Sequence, residues 1–181
     1  MVPLSTREPL PDDVVEVFLQ SHAFARSMLS LAERLCAAPS DESTSATARR
    51  VAEFFTRHLE LHFVDEERTL APRLEGRHKV LDQALAAMRL EHLQLHALIS
   101  RVAFLCTLVA KDSTRLMTVR FELAGAVEHL RRCIKAHQAR EESLLFPAVR
   151  RLLDWRDLDE MRAEIALRRA PGVEQIGRAH V

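Results

Sequence analysis

The stretch His62-Phe-Val-Asp-Glu66-Glu67-Arg-Thr-Leu70-Ala-Pro72 recurs as His137-Gln-Ala-Arg-Glu141-Glu142-Ser-Leu-Leu145-Phe-Pro147, so one chemistry-bearing pattern occurs twice in the chain. On an α-helix a residue and its i+4 neighbour lie one above the other on one face. Each copy therefore offers an imidazole nitrogen and a carboxylate oxygen to the same point beside its helix. Two such helices face to face supply two His and two Glu to a shared metal centre. Glu67 and Glu142, one residue on, are rotated by roughly 100°. They are expected to face solvent or to make an outer hydrogen bond rather than to ligate.

Long helices must position such a centre, and the composition supports them. The 181 residues include only four Gly and no Tyr, with many Ala, Leu, Arg and Glu, which predicts an all-α chain of one domain. Asp12 or Asp13 can cap a first helix that runs to Cys36, with Val15, Phe18, His22, Ala25, Leu29 and Ala32 on its apolar stripe. A second helix runs from about Ser45 to Leu70 with Val51, Phe55, Leu59, His62 and Glu66 inward, and Pro72 with Gly76 ends or kinks it. The third, from about Lys79 to Ala110, carries Leu85, Met88, His92, Leu95 or His96, Ile99 and Val102. The fourth follows Ser113, carries Leu123, Val127, Leu130, Ile134, His137 and Glu141, and is interrupted at Pro147. A short fifth helix spans about Asp157 to Arg168.

Short connections between four long helices predict an antiparallel up-down-up-down four-helix bundle with a short extra C-terminal helix. The expected divisions are an arm over 1–11, the bundle over 12–153, the extra helix within 154–170 and a tail over 171–181. In that topology the late turns of helices two and four lie at the same end as the early halves of helices one and three. His22, His62, Glu66, His92, His96, His137 and Glu141 then meet at one level, five imidazoles and two carboxylates.

Two octahedral ions have roughly twelve coordination positions; this set with bridging carboxylates fills about nine, and a bridging oxo or hydroxo group two more. One position stays open for a small molecule. Nitrogen and carboxylate donors without thiolate suit two iron ions, and less distinctively manganese or zinc. Many neutral imidazoles favour the reduced metals, which points to reversible binding of dioxygen or nitric oxide.

The plainer reading, a helical bundle with incidental core histidines, fits any one of these residues alone. It does not fit the repeat, because imidazoles and carboxylates buried together without a cation are costly. His58, one turn before His62, reads equally as a further ligand or outer donor and as an exposed residue; His78 and His129 read as surface residues, and Arg168-Arg169 as a solvated helix end. Balanced charge, 26 Lys plus Arg against 26 Asp plus Glu, gives no field to recruit nucleic acid or an anionic membrane. No charge-free segment approaches the roughly 20 residues of a membrane span, so a cytoplasmic protein is expected. Cys36, Cys106 and Cys133 are odd in number and lie in apolar stretches, as buried reduced thiols do.

Over about residues 12–153, on His22, the His62/Glu66 pair, His92 with His96, the His137/Glu141 pair and the Glu-Glu-x-x-Leu-x-Pro endings, the chain resembles the hemerythrin-like (HHE cation-binding) family. The resemblance implies a non-haem di-iron centre with carboxylate bridges and a role in dioxygen or nitric oxide binding, iron handling or sensing. The invertebrate oxygen carriers of that family space the last-helix ligands as His, four residues, Asp; His137 and Glu141 are closer, as in the bacterial and regulatory members. An alternative within the same resemblance is a di-iron enzyme, a peroxidase or an iron-centre repair protein. The repair proteins carry a cysteine-containing N-terminal extension, and none precedes His22. The segment Ile176-Gly-Arg-Ala-His-Val181 matches the translation of a common sequencing adapter, so His180 is expected to carry no function.

Overall fold

The structure, a computed structural model, describes residues 11–170, so nearly all of the arm expected over 1–11 and the whole 171–181 tail lie outside the described residues. Within them there are five helices and no strand. Helix α1 is Val14–Ala37, capped by Asp13, whose carboxylate accepts from the Val15 amide at 2.9 Å.

Helix α2 is a continuous run over 44–74, with α segments Thr44–Glu53, Leu59–Asp65 and Ala71–Leu74 joined by π turns at Phe54–His58 and Glu66–Leu70. Helix α3 is Lys79–Lys111. Helix α4 runs over 116–152, with the π turn Glu141–Leu145 between Leu116–Arg140 and Phe146–Leu152. Helix α5 is Trp155–Arg168, capped by Asp154.

The prolines do not end these helices, although the sequence pattern is interrupted at each. A proline removes one amide donor and crowds the carbonyl four residues back. Here the preceding turn is widened: the Ala71 amide donates to the Glu66 carbonyl and the Phe146 amide to the Glu141 carbonyl, each five residues back. The π turn accommodates the ring, and α2 and α4 continue past Pro72 and Pro147. Gly76, at φ 73°, then terminates the α2 path in a left-handed conformation that a side chain would strain.

Helix α1 packs on α2 and α4, and α3 packs on the same two from the other side, the antiparallel ring expected. The core has two parts. One holds Leu29, Val51, Phe55, Leu95, Val102, Leu123 and Leu130; the other holds Phe18, Leu70, Leu85, Phe146 and, from α5, Met161 and Ile165. Between them in sequence on every long helix lies a polar residue or pair: His22, His62 with Glu66, His92, and His137 with Glu141.

Helix α5 is stapled to α2 by charge. Arg168 and Arg169 both bond the Asp65 carboxylate, Arg169 through Nε at 3.0 Å and Nη2 at 2.7 Å, and Asp65 is fully buried. This corrects the expectation of a solvated helix end: a buried carboxylate needs partners, and α5 docks so as to supply them.

Helix α3 is also the one described helix long and apolar enough to cross a membrane, with a mean hydropathy of 1.7 over its most apolar window. Arg89, Glu91 and Arg101 leave it no long charge-free run, the feature sought in the sequence. Its line Leu85, Met88, Leu95 and Val102 is buried in the bundle, while Leu90, Leu93 and Phe104 stand exposed on the outer side. Cys36 and Cys106 are buried free thiols and Cys133 is half-buried. Burial pushes Cys36 up to about 11 and Cys106 up to about 12, so both remain protonated.

Candidate metal centre

Six of the seven residues named from the sequence meet in the layer between the two halves of the core: His22 from α1, His62 and Glu66 from α2, His92 from α3, His137 and Glu141 from α4. None is more than 2 % exposed. Their donor atoms form two sets, His22, His62, Glu66 and Glu141, and Glu66, His92, His137 and Glu141. Within each set the atoms lie within 4.8 Å of one another, and the two sets share both glutamates. Each of these groups can hold a metal ion.

The seventh, His96, stands apart. Its ring is partly exposed and its Nδ1 lies 3.2 Å from Glu60 on α2. Of the histidines set aside, His58 is exposed with its ring stacked on Phe54, His78 accepts the Val80 amide as the α3 cap, and His129 is exposed.

Three carboxylates outside the cluster fix the histidine rings. Glu142 Oε1 lies 2.8 Å from His22 Nδ1, Glu67 Oε1 2.7 Å from His92 Nδ1, and Glu91 Oε2 3.0 Å from His137 Nδ1. A carboxylate only accepts, so Nδ1 carries a proton in each ring and Nε2 is the nitrogen turned inward. The second glutamate of each repeat copy thus serves a histidine of another helix, Glu67 on α2 serving α3 and Glu142 on α4 serving α1. Neither partnership is visible from one helix alone. Glu91 was not singled out in the sequence; it precedes His92 by one residue but holds the ring of His137, and Arg140 bonds its other oxygen. The one available signal was its place beside a ligand, the same place that Glu67 and Glu142 hold.

The inward atoms then face one another across the layer. Glu66 Oε1 is 3.0 Å from His62 Nε2 and 3.8 Å from His22 Nε2; Glu66 Oε2 is 3.2 Å from His92 Nε2. Glu141 lies 3.2 Å from both His22 Nε2 and His137 Nε2, and the two Nε2 atoms of His92 and His137 are 3.3 Å apart. All four oxygens of Glu66 and Glu141, and His22 Nε2, are buried without a hydrogen-bond partner. Lone pairs so arranged repel unless a cation lies among them, and four orphaned carboxylate oxygens at one level are the donor set of a metal site.

The titration behaviour has the same cause. Burial pulls His22 down, but Glu141 and Glu66 outweigh it and hold the imidazole at about 10. Burial likewise opposes the charge on Glu66, yet His62, His22 and His92 carry it well below the usual carboxyl range. Burial and the neighbouring Glu66 charge push Glu141 up, while burial depresses His62 and His137. With protons as the only cations, the layer can satisfy only some of its members.

Aromatic rings close the layer. Phe146 is 5.3 Å from the His22 ring, Phe18 6.0 Å from His62, and Phe63 stacks on His92 at 4.1 Å. The family model described as the Hemerythrin HHE cation binding domain matches residues 13–149, a span that contains all six clustered residues. No curated protein matches the chain, and no solved structure matches it.

Proposed function

The chain belongs to the hemerythrin family, with its HHE cation-binding domain over residues 13–149, and on that premise we propose that it is a non-haem di-iron protein that binds dioxygen or nitric oxide, or senses or handles iron. The observation that carries this is the pair of donor sets sharing Glu66 and Glu141, whose four carboxylate oxygens have no hydrogen-bond partner. Two carboxylates common to two sets would bridge two ions, and nitrogen with oxygen donors and no thiolate suit iron. With His96 outside, four imidazoles and two bridging carboxylates fill about eight of roughly twelve octahedral positions, and a bridging oxygen about two more. Each ion would keep one position open, and iron held there would supply reversible binding of a small diatomic ligand. The chain's own residues hold the rings in place through Glu67, Glu91 and Glu142, and exclude water through Phe18, Phe63 and Phe146. An apolar wall of this kind favours a small uncharged ligand over a polar substrate.

The test is a single preparation. Iron is counted per chain, and spectra are recorded reduced, with dioxygen and with nitric oxide. About two irons per chain with a band that appears and disappears with the gas supports the reading. Turnover of peroxide would shift it to an enzyme, and a chain that binds no metal after reconstitution would defeat it.

A further inference from the structure

The two donor sets share Glu66 and Glu141, so any difference in affinity between them comes from the imidazoles that they do not share. Those imidazoles are backed unequally. In the α3/α4 set both rings donate Nδ1–H to a carboxylate, His92 to Glu67 and His137 to Glu91, and Arg140 in turn fixes Glu91. In the α1/α2 set only His22 is backed, by Glu142. That carboxylate is shared, since Arg26 Nη1 donates to the same Oε1 at 3.0 Å. His62 Nδ1 is buried with no hydrogen-bond partner among the described residues; its ring is bounded by Phe18, Phe63 and His22.

A carboxylate behind a metal-binding imidazole fixes the tautomer and the ring plane and raises the basicity of the nitrogen that ligates. Loss of such a partner commonly costs about 10–100-fold in metal affinity. The α3/α4 set has two of these supports. The α1/α2 set has one; Glu91 and Glu142 each carry an arginine, Arg140 and Arg26, so the difference lies in the missing partner of His62.

We infer, resting on the two-ion reading above, that the two metal positions are inequivalent: the ion between His92 and His137 binds first and tightly, and the ion between His22 and His62 binds second and exchanges. Glu67 and Glu91 are positioning residues for the tight position and Glu142 for the labile one. The near-repeat in the sequence therefore encodes two positions of different character. Both copies carry a second glutamate, yet an accessory carboxylate reaches the histidine of the α4 copy and none reaches that of the α2 copy.

The test titrates chelator-stripped full-length protein with ferrous iron under anaerobic conditions, by calorimetry with metal analysis. The expected result is two steps separated by about tenfold or more. Glu67→Gln and Glu91→Gln should each weaken the first step by about 10–100-fold, and Glu142→Gln only the second. His62→Ala should keep one ion at the affinity of the first step, and His92→Ala one ion at the affinity of the second. Circular dichroism of each stripped variant confirms that the bundle is folded. Two steps of equal affinity, or a Glu67→Gln effect confined to the ion that His92→Ala retains, overturns the ranking and leaves the di-iron reading standing. A wild-type chain that takes up no iron overturns both.

Discussion

His62 and His137 occupy the same place in the two repeat copies, but each serves a different donor set. Alanine at either should remove about one of two ions, because two imidazoles per set leave no spare ligand. His78→Ala, His129→Ala and His96→Ala should keep the full complement. Elemental analysis of the five variants decides it, and equal loss in all of them would place the centre elsewhere. The clustered six were legible in the sequence because ligand chemistry sat on apolar stripes at matching heights. His96 shared that stripe, one turn after His92. A turn of four residues also moves a side chain about 6 Å along the axis, out of a layer one residue thick on α3. The His96 ring is instead turned to Glu60 on α2. The ring-fixing carboxylates were not legible, since each bond joins two helices and depends on how they pack.

At the scale of elements, the α2–α5 staple is open to two tests. Asp65 is fully buried, while Arg168 and Arg169 are only partly exposed. Replacing both arginines by alanine leaves a buried carboxylate unpaired and should cost about 3–5 kcal/mol of stability in a urea titration. A loss below about 1 kcal/mol would mean that the carboxylate finds other partners. On the same interface Arg73, and then Thr69, hold the Glu164 carboxyl below its ordinary 4.5 although burial opposes this. A lowered carboxyl adds stability that is present above the unfolded value and is lost as pH falls through the folded one. The melting gap between wild type and Glu164→Gln should therefore be open near about pH 7 and close below about pH 4. A gap that stays constant with pH refutes this role. The apolar stripes and turn residues outlined the helices and their order, and Pro72 with Gly76 was read as an end or a kink and Pro147 as an interruption of the pattern. The π turns that carry each helix past its proline were not legible, because they have no distinct hydrophobic period.

For the molecule as a whole, the layer that interrupts the core matters more than any one ligand. Each half of the core packs on its own, and the ligand layer binds all four long helices together. An ion that binds only this assembled state, at a concentration of about 1,000 times its dissociation constant, adds about 4 kcal/mol. For a chain of this length that is about 8–16 °C in melting temperature. Stripping the metal with a chelator and recording the melt by calorimetry checks it; unchanged melting would uncouple the site from the fold. The up-down-up-down arrangement was readable from four stripes and short connections. The staple by α5 was not, because Asp65 and its arginines lie about a hundred residues apart in sequence. The spread of the ligands from His22 to Glu141 also sets an order in time. A ribosome adding about 5–20 residues per second delivers His22, His62, Glu66 and His92 well before His137 and Glu141. Until α4 has emerged, both donor sets lack Glu141, a carboxylate that they share. A stalled chain thus offers an incoming cation only fragments of a site, and capture of the metal becomes a sign that the bundle has been finished.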